Sequence, residues 1–275
     1  MSIGLSAPEL SDAEFHHIRR LVYRMSGIDL HSGKEGLVKS RLVKRLRTLG
    51  IDTFEDYLAH LERDASGEEM AMMVDALTTN KTSFFREAQH FDYLRQHVLP
   101  TLRSRARAMR LWSAACSTGE EPFSMAMLLR DELGPDSASA VRILATDISA
   151  RVLAHATAGV YEEEELRDVP RALVARHFTL ARTSPTHAYR VNDALRSMVR
   201  FARLNLIGPW PMRGPFDVIF CRNVMIYFDE PTQQRLVRRL WDILAPGGHL
   251  FVGHSESLSA LTHEFRHARP AVYVK

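Results

Sequence analysis

Cysteine, long apolar runs and glycine-rich phosphate motifs are all scarce in this chain of 275 residues. Its two cysteines, Cys116 and Cys221, match no metal or redox spacing, so we expect free thiols in a reducing cytoplasm. No apolar run approaches the roughly 18 residues that suggest a membrane span, and the first fifteen residues lack the pattern of a secretory signal. We therefore expect a cytoplasmic globular protein without membrane insertion.

The segment LWSAACSTGEEPFS, residues 111–124, indicates a ligand site. It reads as strand, tight loop and helix start, the place where α/β proteins bind cofactors. Because Gly119 is its only glycine, it matches neither the dinucleotide fingerprint nor the P-loop. Glu120 and Glu121 would repel a pyrophosphate at close range, although Glu121 equally fits a helix start whose dipole favours an acid.

Asp147 adds a second indication of the ligand. It ends VRILATD, a predicted strand, where an acidic residue suits the two hydroxyls of a ribose. A cationic ligand with ribose and adenine but no phosphate fits both this residue and the acidic loop. S-adenosylmethionine (SAM), which carries a sulfonium and an ammonium, has that chemistry.

The first 79 residues predict four short helices. Capping patterns begin at Ser11, Ser32 and Ser66, with a weaker one at Thr53. The second helix, KEGLVKSRLVKRLRTLG, carries six cations around one apolar stripe. Its charge fits a solvated face or a dock for an acidic partner, either phosphate backbone or carboxylate-rich protein, and the residues do not decide between them.

From about residue 110 the pattern changes to apolar strands separated by helical segments, which predicts a mostly parallel sheet covered by helices. Within 170–199, HFTLA and AYRVN flank a turn and predict a small antiparallel β insert. MVRFA is either its third strand or the return to the main sheet. The predicted domains are a helical domain at 1–79, a linker with a helix at 80–109 and a cofactor-binding domain at 110–275.

Five motifs together resemble the chemotaxis receptor methyltransferases, the CheR family: NKTSFFRE, SAACSTGEEPFS, ATDIS, FDVIFCRNVMIYFD and GGHLFVGHSESL. The resemblance covers nearly the whole chain. It implies a Rossmann-like class I methyltransferase fold and transfer of a methyl from SAM to glutamate side chains of chemoreceptors. The implied products are glutamate methyl esters and S-adenosylhomocysteine (SAH), used for sensory adaptation, and neither a metal nor nucleic acid is implied. We expect a monomer.

The resemblance also implies site residues, carried over position by position. The implied cofactor contacts are Asn80, Thr82, Arg86, Glu120, Asp147, Asn205, Leu206, Arg222 and Asn223. Arg86 and Tyr227 are implied nearest the transferred methyl and are the predicted catalytic residues. The basic helix is implied to face the receptor, which makes its cations the predicted docking residues: Lys39, Arg41, Lys44, Arg45 and Arg47.

One departure from the family concerns the β insert. Some members use it to bind a pentapeptide at the receptor C-terminus, with glycines in the insert loop. The corresponding stretch here, LARTSPTHAYRV, contains none, so we expect recognition through the methylation helices alone.

Three other functions fit the sequence less well. A nucleic-acid methyltransferase would usually show a (D/N)PP(Y/F) tetrad where this chain has Cys221 to Val224. A module that binds SAM without transfer does not need both Arg86 and Tyr227. The run Gly253 to Ser257, GHSES, resembles a hydrolase elbow but lacks its final glycine. The 13 histidines show no evident grouping of metal ligands.

Overall fold

The computed structural model describes residues 8–103 and 108–275. These form two compact units: one contains the described residues up to Thr79 with Tyr227–Asp229, and the other contains Asn80–Ile226 with Glu230–Lys275. The predicted segments 1–79 and 80–109 include residues 1–7 and 104–107, which lie outside the described residues. No described helix has both the length and the apolar character that crossing a membrane requires.

The first unit contains the four predicted helices: α1 (Asp12–Ser26), α2 (Glu35–Leu49), α3 (Phe54–Arg63) and α4 (Glu68–Leu77). Each turns an apolar stripe toward one core, where Ile18, Leu42, Phe54 and Met73 are fully buried. Helices this short are marginal alone, so the shared core stabilises them.

The predicted helix caps are only partly present. Ser11 and Glu14 form the reciprocal capping box of α1, and Thr53 accepts a hydrogen bond from the amide of Asp56 at the start of α3. The predicted box at Ser32 is wrong, because α2 begins without a side-chain cap.

The predicted box at Ser66 is also wrong, and the reason is tertiary. The carboxylate of Glu69 accepts hydrogen bonds from Arg45 at 2.8 Å and from Tyr57 at 2.8 Å, so it cannot turn back to cap its own helix. Asp64 serves instead, accepting hydrogen bonds from the amides of Ser66 and Glu69 at 3.0 and 2.8 Å.

The second unit is α/β. Its described helices are α5 (Ala88–Tyr93), which a π-helical turn joins to α6 (Leu99–Arg103), then α7 (Glu120–Ala138), α8 (Ala150–Ala158), α9 (Arg171–His177), α10 (Asp193–Arg196) and α11 (Glu230–Ile243). Its described strands are β1 (Arg110–Ala114), β2 (Arg142–Asp147), β3 (Val160–Glu162), β4 (Phe178–Arg182), β5 (Ala188–Val191), β6 (Val199–Arg203), β7 (Phe216–Cys221), β8 (Leu244–Val252), β9 (Arg266–Arg269) and β10 (Val272–Val274).

Seven strands form the large sheet in the order β6-β2-β1-β7-β8-β10-β9. The first five run parallel, and β10 lies antiparallel between β8 and β9. Every residue of β7 is buried, as expected for a central parallel strand with both faces covered. The predicted Rossmann-like class I fold is confirmed.

The small antiparallel sheet is present, in the order β3-β5-β4. Two of its strands are the predicted HFTLA and AYRVN segments. The third is Val160–Glu162, which precedes the predicted segment 170–199, whereas MVRFA supplies β6 of the large sheet. The difference follows from pairing: β6 aligns parallel to β2 over five residue pairs, and β3 aligns with β5.

Candidate active site

The carboxyl ends of β6, β2, β1 and β7 lie side by side along one edge of the large sheet. The chain order reverses between β1 and β7, where Ala114 pairs with Cys221. Ligands of open α/β sheets bind outside the strand ends at such a switch point. The loop predicted to bind the ligand follows β1 and lies there.

The loop after β1 has left-handed backbone at Ala115, Ser117 and Gly119. Only glycine fits the third position, because a Cβ on Gly119 would lie 2.8 Å from the Ala156 Cβ and 2.8 Å from the Tyr161 hydroxyl. The single glycine of the motif is therefore required by close packing of the loop against α8 and β3. The loop is tight without being glycine-rich.

Asp147 lies at the end of β2, where the sequence predicts it, and its side chain is buried. Its carboxylate accepts hydrogen bonds from the amide of Ser117 at 2.9 Å and from that of Ser149 at 3.0 Å. One bond stabilises the left-handed loop after β1, and the other stabilises the start of α8. Asp147 thus shapes the site in addition to its predicted role toward a ribose.

The predicted linker residues approach the same loop. The carbonyl of Asn80 accepts a hydrogen bond from the Ser117 hydroxyl at 3.0 Å, and Thr82 is half-buried. Arg86 donates to the carbonyl of Lys81 at 2.9 Å, which folds the linker into a turn. The structure therefore brings Asn80 beside the loop that leads into Glu120.

The two adjacent glutamates have different environments. Glu121 accepts hydrogen bonds from Ser113 at 2.6 Å and from Arg222 at 3.0 Å, although burial still raises its pKa against the charge of Arg222. The Glu120 carboxylate accepts a hydrogen bond from the Thr118 hydroxyl at 2.7 Å and one from its own backbone amide, and no charged side chain donates to it in residues 8–103 and 108–275. Burial raises the pKa of Glu120 to about 7. Glu121 is structural, and Glu120 is the acid suited to a cationic ligand.

Arg222 follows β7, and its side chain is only 1% exposed. It donates to Glu87 at 2.9 Å and to Glu121 at 3.0 Å, and also to the carbonyl of Arg86. Although burial favours the neutral form of Glu87, the charge and hydrogen bonds of Arg222 lower the pKa of that carboxyl. The guanidinium thus joins the linker to α7. Because the side chain is engaged in this way, the part of Arg222 suited to contact a ligand is its backbone.

Asn205 and Leu206 lie in the loop after β6, which begins beside the end of β2. The amide of Leu204 donates to the carbonyl of the last β2 residue at 2.9 Å. Trp210 and Arg239 both donate to the carbonyl of Leu206, at 3.2 and 2.7 Å. Asp147 at the end of β2 and the pair Asn205–Leu206 after β6 are thereby held at neighbouring strand ends.

The expectation that the histidines form no ligand grouping is wrong at one place. Potential ligand atoms of Glu87, His90 and His254 lie within 4.8 Å of one another. Burial, with a smaller contribution from Arg222, lowers the pKa of His90 to about 3, so its ring is neutral. A cation there would face the guanidinium that already binds Glu87, and this repulsion disfavours a metal. The prediction that no metal takes part stays a prediction.

Tyr227 belongs to the helical unit. Its carbonyl accepts a hydrogen bond from the amide of Asp29 at 2.8 Å, and two residues later Asp229 accepts one from the Tyr23 hydroxyl at 2.8 Å. The chain thus leaves the α/β unit for three residues that contact α1 and the segment after it. Nothing in the sequence pattern predicts this exchange.

Three of the five predicted docking cations are used inside the helical unit. Lys39 pairs with a glutamate ahead of α1 at 2.7 Å, Arg41 donates to two carbonyls at the end of α4, and Arg45 binds the buried glutamate of α4. Lys44 and Arg47 are exposed, and within residues 8–103 and 108–275 their side chains have no hydrogen-bond or ion-pair partner. The basic helix offers a partner less charge than its composition predicts.

Four residues that shape the site were not predicted: Glu87, Trp210, Arg239 and Glu256. Glu87 ends the NKTSFFRE motif, and Glu256 lies in the GHSES run that resembles a hydrolase elbow. In both cases the signal is an acidic residue within a motif at the end of a predicted strand or linker. The spacing of Trp210 and Arg239 contains none.

Two models of one protein family match the chain. The "CheR methyltransferase, all-alpha domain" matches residues 13–78, and the "CheR methyltransferase, SAM binding domain" matches residues 80–274. The chain belongs to the CheR methyltransferase family. The predicted resemblance is therefore confirmed, and the SAM-binding match covers every strand of the site described above.

Curated members of the CheR family are similar to the chain over almost its whole length. The "Chemotaxis protein methyltransferase" of Klebsiella aerogenes is 47% identical over 266 residues, which cover 96% of this chain and 90% of that protein. The protein of the same name from Escherichia coli K12 is 44% identical, covering 96% and 91%. "Chemotaxis protein methyltransferase 2" of Pseudomonas aeruginosa is 42% identical and covers 99% of both chains.

Membership of the CheR family confirms the predicted enzyme class and cofactor. The chain is a SAM-dependent methyltransferase, and methylation of chemoreceptor glutamates is the known role of its family. The two glutamates that begin α7, directly after the loop that follows β1, agree with this cofactor, because SAM is cationic and has no phosphate.

Proposed function

We propose that SAM binds at the carboxyl ends of β1 and β7 and donates its methyl to a glutamate carboxylate of a chemoreceptor. Glu120 is the observation that supports this placement. It begins α7 directly after the loop that follows β1, and its buried carboxylate accepts hydrogen bonds from Thr118 and from its own backbone amide, with no cationic donor among the described residues. A buried acid with so few partners suits a cationic ligand, which would favour its ionised form.

We assign the cofactor contacts to the predicted set: Asn80, Thr82, Arg86, Glu120, Asp147, Asn205, Leu206, Arg222 and Asn223. The geometry refines two of these roles. Asp147 already accepts two backbone hydrogen bonds, and since a carboxylate can accept about four, contact with ribose hydroxyls is compatible with them. Arg222 would act through its backbone, because its side chain is buried between two glutamates.

The chemistry requires alignment more than acid–base catalysis. A glutamate has a reference pKa of about 4.3, so the receptor carboxylate is ionised at neutral pH and needs no base. SAM supplies an activated methyl, which the carboxylate oxygen takes up as the carbon–sulfur bond breaks and its electron pair stays on sulfur. Arg86 would steer the carboxylate, and Tyr227 would donate a hydrogen bond to its second oxygen. Too strong a bond would stabilise the ground state and slow transfer.

Arg86→Ala and Tyr227→Phe test these roles, with Arg167→Ala and Tyr189→Phe as matched controls elsewhere in the chain. Radiolabelled methyl transfer to a receptor fragment should fall in both test variants and stay unchanged in the controls. SAH affinity, measured by calorimetry, should change less than the transfer rate. Transfer at the wild-type rate would remove either residue from the proposed role.

We further propose that the receptor docks on α2 through Lys44 and Arg47. Both cations are exposed, and in the described residues neither has an internal partner, whereas Lys39, Arg41 and Arg45 are engaged and would contribute mainly by maintaining the helix. Attraction between exposed charges is screened by salt. The KM for the receptor should therefore rise with salt, and it should do so less in a Lys44→Gln/Arg47→Gln variant.

The remaining proposals concern the state of the enzyme. We propose a cytoplasmic monomer that uses no metal, binds no nucleic acid and recognises receptors without the C-terminal pentapeptide. Light scattering of the purified chain should give the mass of one copy. Transfer should be unchanged by a chelator, by added DNA or by removal of the receptor tail, and a loss in any arm would contradict that part of the proposal.

A further inference from the structure

Glu256 is a buried acid in the GHSES run, at the loop after β8. Its carboxylate accepts hydrogen bonds from backbone amides of two different loops. The amide of Gly253 donates from its own loop at 2.6 Å. The amides of Asn223, Met225 and Ile226 donate from the loop after β7, at 2.7, 2.7 and 3.3 Å. One side chain therefore accepts hydrogen bonds from four backbone amides.

The loop after β7 needs such support because its backbone is unusual. Asn223 is left-handed, with φ 58°, a conformation that asparagine tolerates better than most residues but still adopts rarely. A Cβ on Gly253 would lie 2.5 Å from the Asn223 Nδ2 and 2.8 Å from the Glu256 Oε2. The two loops and the carboxylate are thus packed with no room for another atom.

Asn223 is held from a second side as well. Its side-chain amide donates to Glu87 at 3.3 Å, and Glu87 is fixed by the buried Arg222. Asn223 therefore lies between two carboxylates, one bonded to its backbone and one to its side chain. The loop that begins there continues directly into Tyr227.

We propose that Glu256 is a positioning residue for methyl transfer, acting through the loop 223–226. Its carboxylate fixes the backbone of Asn223, Met225 and Ile226. The inference rests on the proposed function, which gives Asn223 and Tyr227 their roles toward cofactor and substrate. The hydrolase-like appearance of GHSES is explained by this buried acid, since Ser255 is exposed.

A carboxylate is needed because all four hydrogen bonds described above come to Glu256 from backbone N–H donors. The two oxygens of a carboxylate can accept from all four amides, whereas the amide of a glutamine would turn an N–H group toward some of them. Misplacement of a reacting group by about 1 Å can lower a rate about 100-fold. Glu256→Gln should therefore lower kcat by about that factor.

The experiment compares full-length Glu256→Gln and Glu256→Asp with Ser255→Ala, an exposed neighbour in the same loop. Methyl transfer to a receptor fragment gives kcat and the KM for SAM, calorimetry gives SAH affinity, and amide NMR follows Asn223 and Met225. In Glu256→Gln we expect the fall in kcat, a loss of SAH affinity smaller than tenfold and upfield shifts of both amide protons. Glu256→Asp keeps the charge but shortens the reach, so its kcat should be intermediate. Ser255→Ala should match wild type.

Wild-type kcat in Glu256→Gln or Glu256→Asp would overturn the inference. So would a fall in kcat that merely follows the unfolded fraction seen by circular dichroism, because that is the effect of a purely structural residue. Wild-type transfer by Tyr227→Phe and Arg86→Ala would instead contradict the proposed function. The amide shifts in Glu256→Gln would still report whether the carboxylate holds the loop, so the two failures are distinguishable.

Discussion

Glu69 in the helical unit and Asp147 and Glu256 in the α/β unit are buried acids with different partners. In the helical unit, Arg45 and Glu69 connect α2 to α4 through side chains alone. In the α/β unit, Asp147 and Glu256 bind backbone amides of the loops at the strand ends. The first arrangement stabilises a bundle, and the second sets the conformation of loops that would meet a ligand.

The difference follows from secondary structure. Helices satisfy most of their own backbone amides. A charged side chain between two helices can therefore pair with another side chain instead of with the backbone. A parallel sheet ends in loops whose amides have no regular partner, and buried amides must be satisfied. Here acidic side chains accept the hydrogen bonds of these loop amides. Structural carboxylates therefore lie next to carboxylates that are available for a ligand.

The largest expected loss of stability is that of Arg222→Met, and Arg45→Met is the matched variant in the helical unit. Removing Arg222 would leave Glu87 and Glu121 buried without a counter-charge, which should lower the free energy of unfolding by about 3–5 kcal/mol. Arg45 is more exposed, and Glu69 keeps its bond from Tyr57, so its loss should cost about 1–2 kcal/mol. Urea denaturation of both variants measures the two losses, and equal values would contradict the comparison.

Gly119 and Gly50, two glycines with left-handed backbone, give a second comparison between the α/β unit and the helical unit. Gly119→Ala should cost about 3 kcal/mol, because a Cβ there meets Ala156 and Tyr161 in addition to the strain of φ 99°. Gly50 ends α2 at φ 68° with nothing within 4 Å of a Cβ, so Gly50→Ala should cost about 1 kcal/mol. Only the first variant should also weaken SAH binding, which calorimetry would show.

Glu120 makes the α/β unit pH-sensitive. Its pKa is raised from 4.5 to about 7 in the native state, so its contribution to stability is complete below pH 4.5 and is lost as pH rises toward 7. A cationic ligand favours the ionised form, so SAM affinity should rise with pH up to about 7, by at most about tenfold per pH unit. Glu120→Gln should abolish both dependences in calorimetry and thermal denaturation. If the pH dependence persists in this variant, a titrating group other than Glu120 causes it, and the prediction is wrong.

The smallest effect on stability belongs to Lys44→Gln and Arg47→Gln, which should change the free energy of unfolding by less than about 0.5 kcal/mol. Neither side chain has a partner in the described part of the helical unit, so nothing is left unsatisfied. Urea denaturation is the measurement, and Lys39→Gln, which breaks an exposed ion pair, is the control with a similarly small expected loss. A loss above 1 kcal/mol for Lys44→Gln or Arg47→Gln would reveal a structural role.

Much of the fold was predictable because its signals are local. The helix starts at Ser11 and Thr53, the strand ending in Asp147 and the loop around Gly119 each depend on a few neighbouring residues. The β insert was only half predictable: both of its hairpin strands have a local signature, but their partner Val160–Glu162 is found only by pairing. The same limit made the capping box at Ser66 fail, since its glutamate is taken by Arg45.

The sequence by itself determined the family, the order of the elements and the cationic, phosphate-free character of the cofactor, since motifs and residue spacing fix these locally. Only the tertiary structure decided which charges are available. Arg222 and Glu121 are 101 residues apart in sequence and yet form an ion pair in which the Arg222 side chain is buried. A buried charge must find a partner, and folding chooses that partner from the whole chain, so composition alone could not show that Arg222 is enclosed while Lys44 and Arg47 remain exposed.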